Sequence, residues 1–146
     1  MSEANKALIM RIFDEALNQG NLDLIDEYFT FEPGYEDDPS KPSAWHMNTG
    51  QNAIEAAKQH LIDLRASFPD IHWEVHEQIA EGDKVVNRFT VTGTHTGTPF
   101  MGIPPSGKRF EQKGIGIDHV VDGIVRQGWD SEDIYGLLQQ IGGTLS

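Results

Sequence analysis

An aspartate at the end of a predicted strand is the residue of this chain best suited to chemistry. Asp130 follows Trp129 in the stretch GWDSEDIYGLLQQIGG, residues 128–143. If Trp129 and the apolar loop around Phe100 and Met101 exclude water from the carboxylate, its pKa rises. A carboxylate with a pKa nearer neutrality is a better base toward a carbon-bound proton. The first hypothesis is therefore general acid–base catalysis by Asp130.

The same aspartate has a structural interpretation, as the N-cap of the last predicted helix. Asp133 lies three residues further on, in a position similar to that of a capping box. A cap of this kind stabilises a helix by about 1 kcal/mol. One carboxylate serves both purposes only if its two oxygens point to different partners, so the sequence leaves both interpretations open.

The register of the last hairpin bears on this choice. The Asp-Gly pair at 122–123 is the strongest hairpin signal in the chain and is typical of a type I′ turn. Counting outward from a two-residue loop places Trp129 opposite Gly116 and Asp130 opposite Ile115. This register puts Asp130 and Trp129 on opposite faces, unless the strand ends or bulges before them.

Other kinds of catalysis have little support in the sequence. Without cysteine there is no thiolate nucleophile, disulfide or cysteine-bound zinc, and the six histidines form no HExxH motif. No serine lies in a G-x-S-x-G elbow. Gly114 and Gly116 lie inside a predicted strand, so they are no dinucleotide fingerprint. We therefore expect no metal and no organic cofactor.

The elements that must position Asp130 follow from the hydrophobic periodicity. Helical spacing predicts two short helices before residue 30, with Gly20 as a left-handed C-cap and Asn21 as the cap of the second. Residues 31–49 read as a loop with a short strand near Trp45. A long helix then begins at Thr49 or Gly50 and ends before Pro69.

From Ile71 onward the hydrophobic period is two. Strands are predicted over 72–80, after the turn at 81–83, over 110–121 and over 124–129, followed by a helix over 131–141. In the second strand, Val85, Phe89, Val91 and His95 share the face expected to be inner. Helices followed by antiparallel strands predict an α+β fold with helices on one side of the sheet, in one domain over residues 1–146.

Several polar residues are further candidates for a site. His95 is either a polar contact in a cavity or a half-buried structural histidine. Tyr35 and Asp38 belong either to a cavity wall or to a solvated acidic loop. Arg88 and Asp118 are expected to share a sheet face, as a structural ion pair or as a pair that adds water to an epoxide.

The net charge of −12 limits the partners of the protein. A phosphate backbone and an anionic membrane both favour a basic surface, so we expect neither nucleic acid nor membrane as a partner. The N-terminus lacks the pattern of a signal peptide, and no stretch is apolar enough for a span. The expected location is the cytoplasm.

Nearly the whole chain resembles the SnoaL-like polyketide cyclases (ester cyclases) of the nuclear transport factor 2-like superfamily. The matching stretches are AEGDKVVNRFTVTGTHTG, GIPPSGKRF, VVDGIVRQGWDSED and LLQQIG, together with the opening FDEALNQGNLDLIDEYF. The resemblance implies a cone-shaped α+β barrel, in which a curved, mainly antiparallel sheet and the N-terminal helices enclose an apolar cavity. It also implies a homodimer that forms through the sheet.

The resemblance further implies a cofactor-independent cyclase that acts on a hydrophobic carbonyl compound by intramolecular aldol condensation. The acid–base aspartate of that family corresponds to Asp130. Two polar cavity positions of the family fall on Gly114 and Gly116, and an asparagine before a proline falls on Asp38. These departures keep a second hypothesis open, a non-catalytic module that binds a small apolar ligand in the same cavity.

Overall fold

The computed structural model describes residues 2–30 and 50–143, with the backbone only at residues 50–52. The predicted short strand near Trp45 and the start of a helix at Thr49 lie outside the described residues.

The first helical segment changes geometry midway. Helix α1 spans Ser2–Arg11 and continues as a π-helical segment over Ile12–Asn18. Gly20 follows with a φ of 80°, which confirms the predicted left-handed turn. Helix α2 spans Asp23–Tyr28, and its N-cap is Leu22 without a side-chain hydrogen bond, so the predicted capping role of Asn21 is wrong.

The long helix forms where the sequence predicts it. Helix α3 spans Gly50–Ser67. Ile54 on this helix and Phe68 just after it are buried, and Pro69 comes directly after Phe68. Helix α3 therefore presents one apolar stripe to the sheet and ends at the predicted place.

Four strands form one antiparallel sheet in the order β1-β2-β3-β4. Their bounds are His72–Glu81, Lys84–Thr94, Arg109–Val121 and Ile124–Glu132. Residues 85, 87, 89, 91, 93 and 95 of β2 and its extension are all buried, as the alternation predicts. The α+β prediction is thus confirmed.

The hairpin between β3 and β4 contains an extra residue. Asp122 and Gly123 both have positive φ, 53° and 72°, as a type I′ turn requires. Val120 pairs with Val125, but His119 pairs with Gln127, so one residue of β4 bulges out. The register beyond this point differs by one residue from the predicted one.

The last strand is longer than predicted, and the last helix begins later. Strand β4 continues through Glu132, and helix α4 spans Ile134–Gln140. The N-cap of α4 is Asp133, whose Oδ1 accepts a hydrogen bond of 2.8 Å from the backbone N–H of Gly136. Asp130 lies within β4, so its interpretation as the helix cap is wrong.

Two apolar clusters fill the space between helices and sheet. One cluster includes Ile9, Ile12 and Val85 beneath α1 and the π-helical segment. The other is rich in aromatic rings and includes Phe68 and Phe110, whose ring centroids lie 4.7 Å apart. Within residues 2–30 and 50–143, no helix has the length and apolar character that crossing a membrane requires.

Candidate active site

A cavity of about 400 Å³ lies between α3, the π-helical segment and the inner face of the sheet. This volume is typical of sites that bind small organic molecules. Aromatic side chains supply much of its wall: Phe13, Phe29, Trp73, Phe89, Phe100 and Phe110. Polar side chains also reach it: His60, Asn87, Gln112, Asp118, Asp130 and Glu132.

The bulge in β4 decides which face Asp130 occupies. Asp130 pairs with Gly116, and Trp129 pairs with Ile117. The predicted pairing of Asp130 with Ile115 is wrong, because the extra residue shifts every later pair by one. Since side chains alternate between faces, that shift moves Asp130 from the outer face to the cavity face.

Two further carboxyl groups lie near Asp130. Asp118 is on β3, where it pairs with Gly128, and Glu132 is two residues after Asp130 on β4. Burial raises the pKa of Asp118 to about 7, and the charge of Asp130 raises it further. Burial and the charge of Asp130 likewise raise the pKa of Glu132 to about 7. The site therefore holds carboxyl groups that titrate near neutral pH.

A chain of hydrogen bonds from Gln78 through Asn87 orients the carboxyl group of Asp118. The Nε2 of Gln78 donates to Oδ1 of Asn87 at 2.8 Å, and the Nδ2 of Asn87 donates to Oδ2 of Asp118 at 3.2 Å. Gln78 also donates to the carbonyl of Lys6 at 3.2 Å. Asn87 is buried, so this orientation is fixed by the protein interior.

The two glycines that replace polar cavity residues of the resembled family have different surroundings. A Cβ at Gly114 would lie 2.7 Å from ring carbons of Phe89 and 3.0 Å from Cγ of Glu132. A Cβ at Gly116 would meet its nearest atoms at 3.4 Å or more, among them Cβ of Asp130 at 3.5 Å. Gly114 thus makes room for Phe89, whereas a methyl group at Gly116 would fit at ordinary van der Waals distances.

Gln112 is buried in the same wall and has an unpaired hydrogen-bond donor among the described residues. Its residue is 4% exposed, and its Nε2 has no hydrogen-bond partner among the described residues. An unpaired buried amide of this kind costs free energy in the empty cavity. The arrangement suits a ligand with an oxygen acceptor at this point.

The remaining predicted site residues divide into three groups. Phe100 lines the cavity, whereas Trp129 pairs with Ile117 of the outer face and borders the cavity with its backbone carbonyl oxygen, 3.4 Å from a Cβ built at Gly116. His95 and Met101 do not line it: His95 is fully buried against Phe68, with Nε2 2.9 Å from the carbonyl oxygen of Thr98, while Met101 projects to the surface. Tyr35 and Asp38 lie outside the described residues.

Arg88 and Asp118 do not form the predicted pair. Arg88 is exposed on the outer face, where its Nε lies 3.4 Å from Oε1 of Glu77. Asp118 pairs in register with Val85 of the inner face and lines the cavity. Because the two side chains lie on opposite faces, an Asp–Arg pair for water addition is excluded for these residues.

Four polar residues of the cavity were not predicted as part of a site. His60 comes from the exposed side of α3, and Asn87, Gln112 and Glu132 come from three different strands. The alternation of β2 and β3 places Asn87 and Gln112 on inner faces. Polar residues are unusual on such faces, so their position there was a signal for site residues. Nothing local in the sequence brings His60 to the same cavity.

In the described part of the chain, no group of three or more His, Asp or Glu side chains is placed to hold a metal ion.

The comparisons with known proteins agree with this geometry. Residues 7–141 match the family model of the SnoaL-like polyketide cyclases. Aklanonic acid methyl ester cyclase DnrD of Streptomyces peucetius is 28% identical over 92% of this chain and 88% of its own length. Nogalonic acid methyl ester cyclase of Streptomyces nogalater is 30% identical over 87% of this chain and 90% of its own length.

Solved structures show the same fold. TsrD from Streptomyces laurentii has a TM-score of 0.77 at 27% identity, over 97% of both chains. IdmH from Streptomyces antibioticus has a TM-score of 0.72 at 29% identity, over 94% of this chain and 98% of its own. The predicted cone-shaped α+β barrel is thus confirmed.

Proposed function

Because the chain belongs to the SnoaL-like polyketide cyclase family and is an enzyme of that type, we propose that it closes a ring in a polyketide-derived ester by intramolecular aldol addition. Asp130 acts as the catalytic acid–base. The observation that carries this proposal is the position of its carboxylate on the wall of an aromatic cavity, rather than at the start of α4.

The proposed reaction balances without an external reagent. The Asp130 carboxylate takes a proton from the carbon between two carbonyl groups, which leaves an enolate. That carbon attacks a second carbonyl of the same molecule, a carbon–carbon bond forms, and the electron pair of the C=O bond moves to oxygen. The alkoxide then takes the proton from Asp130. Substrate and product are isomers, so the proposed chemistry needs neither an oxidant nor a cofactor.

The cavity suits this class of substrate. Six aromatic side chains provide apolar area for fused or folding polyketide rings. Gly116 pairs with Asp130 and carries no side chain, which leaves this side of Asp130 uncovered for the reacting carbon. Two of the relatives reported above are named as cyclases of aklanonic and nogalonic acid methyl esters, so a methyl ester of a polyketide acid is the substrate class to test first.

The test is turnover of aklanonic acid methyl ester and nogalonic acid methyl ester, each assayed by chromatography for an isomer of unchanged mass. We expect Asp130→Asn to lower the rate at least ~10²-fold, since general acid–base catalysis typically contributes that much. The melting temperature should change little, because Asp130 caps no helix. A wild-type rate in Asp130→Asn would contradict the assignment.

Asp133→Asn is the matched control for this experiment. Asp133 is an exposed acid three residues away, and asparagine is as good a helix cap as aspartate. The control removes one negative charge from the same region without touching the cavity. Its turnover should equal that of the wild type.

We also propose that the protein forms a homodimer through the outer face of the sheet. Ile79, Ile115 and Ile117 lie on that face and are 57%, 49% and 37% exposed in the single chain. Ile79 and Ile117 both pair with Val86, so they form an apolar row across three strands. Sedimentation should give twice the 16.3 kDa chain mass. Ile117→Lys should reduce the measured mass to that of a single chain, whereas an unchanged mass would place the interface elsewhere.

A further inference from the structure

The surroundings of the Asp118 carboxyl group indicate a role in the cavity rather than in stabilising the fold. It lines the cavity beside Asp130, and one of its oxygens, Oδ2, accepts the hydrogen bond from Asn87. The other oxygen, Oδ1, lies where a side chain at position 128 would press on it: a Cβ there would be 3.0 Å away. The glycine at 128 therefore leaves room for this carboxyl group.

The hydrogen bonds also determine which oxygen of Asp118 can carry a proton. Gln78 donates to Oδ1 of Asn87, so the Nδ2 group of Asn87 is the one that faces Asp118. Oδ2 of Asp118 is therefore an acceptor, and a proton on the carboxyl group belongs on Oδ1. Such a proton is available to a ligand.

We propose that Asp118 is a second catalytic residue, a neutral carboxylic acid that donates a hydrogen bond from Oδ1 to the enolate oxygen of the substrate. Asp130 meanwhile carries the negative charge that removes the proton from carbon. This inference rests on the proposed function. The proton of Asp118 stays on Asp118 throughout, so the proton balance of the reaction still closes on Asp130 alone.

The charges around Asp118 favour this division of roles. Among the described residues, the titratable groups that line the same cavity are Asp130 and Glu132 on β4 and His60 on α3, and this lining contains no lysine or arginine. Asp118 and Asp130 cannot both ionise easily, because the charge of Asp130 raises the pKa of Asp118. The negative charge belongs on Asp130, which is the more exposed of the two, and the proton on Asp118. Environments that push two pKa values apart assign an acid and a base in this way.

Gln112 is independent evidence that the cavity receives an oxygen-bearing ligand. Its buried Nε2 lacks a partner among the described residues, on a side chain that is part of the cavity wall. Gln112 lies four residues before Gly116, the partner of Asp130, or roughly 13 Å along the strand. A substrate with a second oxygen at that distance satisfies Gln112 and places its reacting carbon near Asp130.

Together, Asp118 and Gln112 supply donors that the resembled family places at positions 114 and 116. A donor that is fixed before the reaction stabilises the developing oxyanion without reorganising. Asp118 provides one from the neighbouring position on the same strand, and it needs to be protonated to do so.

The test compares Asp118→Asn with Asp118→Ala in turnover of the same two esters. Asparagine keeps an N–H donor, because Asn87 selects its carbonyl oxygen and leaves the amide nitrogen in the place of Oδ1. We expect Asp118→Asn to stay within ~10-fold of the wild type and Asp118→Ala to lose about 10²–10³-fold, the effect typical of one oxyanion donor. Equal losses in both variants would overturn the inference.

The pH profile gives a readout that a structural role would not change. The wild-type rate should fall as the pH rises above about 7, where Asp118 ionises, and Asp118→Asn should lack this loss. Glu132→Gln is the control, because Glu132 titrates in the same range and its removal should leave the Asp118 loss in place. A profile unchanged in Asp118→Asn would also overturn the inference.

A failure of the proposed function can be told apart from a failure of this inference. If the wild type converts neither ester, the proposed substrate class is wrong, but the charge state of Asp118 can still be measured by carbon NMR of its carboxyl group. Protonation that persists to pH 6 in the folded protein supports the inference. Ionisation in the ordinary carboxyl range overturns it whatever the substrate.

Discussion

Two stretches of the inner sheet face lie side by side and are filled in opposite ways. In the packed stretch, Val85, Val120 and Val125 are fully buried under α1, the π-helical segment and α2. In the open stretch, Gly116, Gly128 and three carboxyl residues replace such valines. Val85 and Asp118 are direct neighbours across β2 and β3, so the change occurs within one pair.

The contrast shows how this fold keeps a cavity open. Closely packed apolar side chains stabilise a barrel, so an empty space needs positions where side chains are missing or too costly to bury. The glycines of the open stretch remove volume, and its carboxyl groups cannot be packed against one another. Burial in the packed stretch and in the aromatic cluster around Phe68 therefore stabilises the domain, while the proposed chemistry is confined to the open stretch.

The sharpest test of this comparison uses two glycines of β3 that are two residues apart. Gly114→Ala should lower the free energy of unfolding by about 1–3 kcal/mol, because the new methyl group would overlap the Phe89 ring. Gly116→Ala should change it by less than about 0.5 kcal/mol, because the new methyl group would meet its neighbours at 3.4 Å or more, an ordinary van der Waals distance. Urea unfolding measures both. Equal losses would mean that Gly116 is as tightly packed as Gly114.

The next largest effect is expected in the pH dependence of the free energy of unfolding, to which the open stretch contributes through Asp118 and the packed stretch does not. The ordinary pKa of Asp118 is 3.8 and its folded value is about 7, so between these values the folded state binds the extra proton. Stability contributed by this proton is therefore lost as pH rises from about 4 to 7, by at most about 1.4 kcal/mol per pH unit. In Asp118→Asn this part of the slope should vanish.

A truncation in the packed stretch is the control for that experiment. Val125→Ala removes buried volume and no titratable group, so its loss of stability should be the same at pH 4 and pH 7. Unfolding measured at several pH values compares the two variants. A slope that is unchanged in Asp118→Asn would show that Asp118 ionises normally in the folded protein.

The smallest expected effect concerns the aspartate that caps α4. Asp133→Ala should cost about 1 kcal/mol, since it removes the acceptor for the backbone N–H of Gly136. Turnover should not change, because Asp133 lies outside the cavity. Asp130→Ala should show the reverse pattern, with lost turnover and little lost stability. If Asp133→Ala also abolished turnover, the division between cap and base would be wrong.

Much of the fold was predictable from local patterns. The alternation from Ile71 onward identified all four strands, and the Asp-Gly pair identified the last hairpin, because both signals depend only on neighbouring residues. The sequence left Asp130 open both as a base and as the cap of α4, and the structure has Asp133 as the cap, because an Asp-x-x-Asp pattern does not reveal where a strand stops. His95 and Met101 were expected in the cavity for a similar reason: the alternation gives a face but not what covers it.

The sequence by itself determined the α+β order, the inner faces of the strands and the presence of an acid near the end of the chain. The tertiary structure alone decided that this acid faces the cavity, because one bulged residue in β4 reverses the alternation and leaves no local trace. It also gathered Asp118, Asp130, Glu132 and His60 around one space. Their proximity, and the raised pKa of Asp118, arise from through-space contacts between distant segments, which no local pattern encodes.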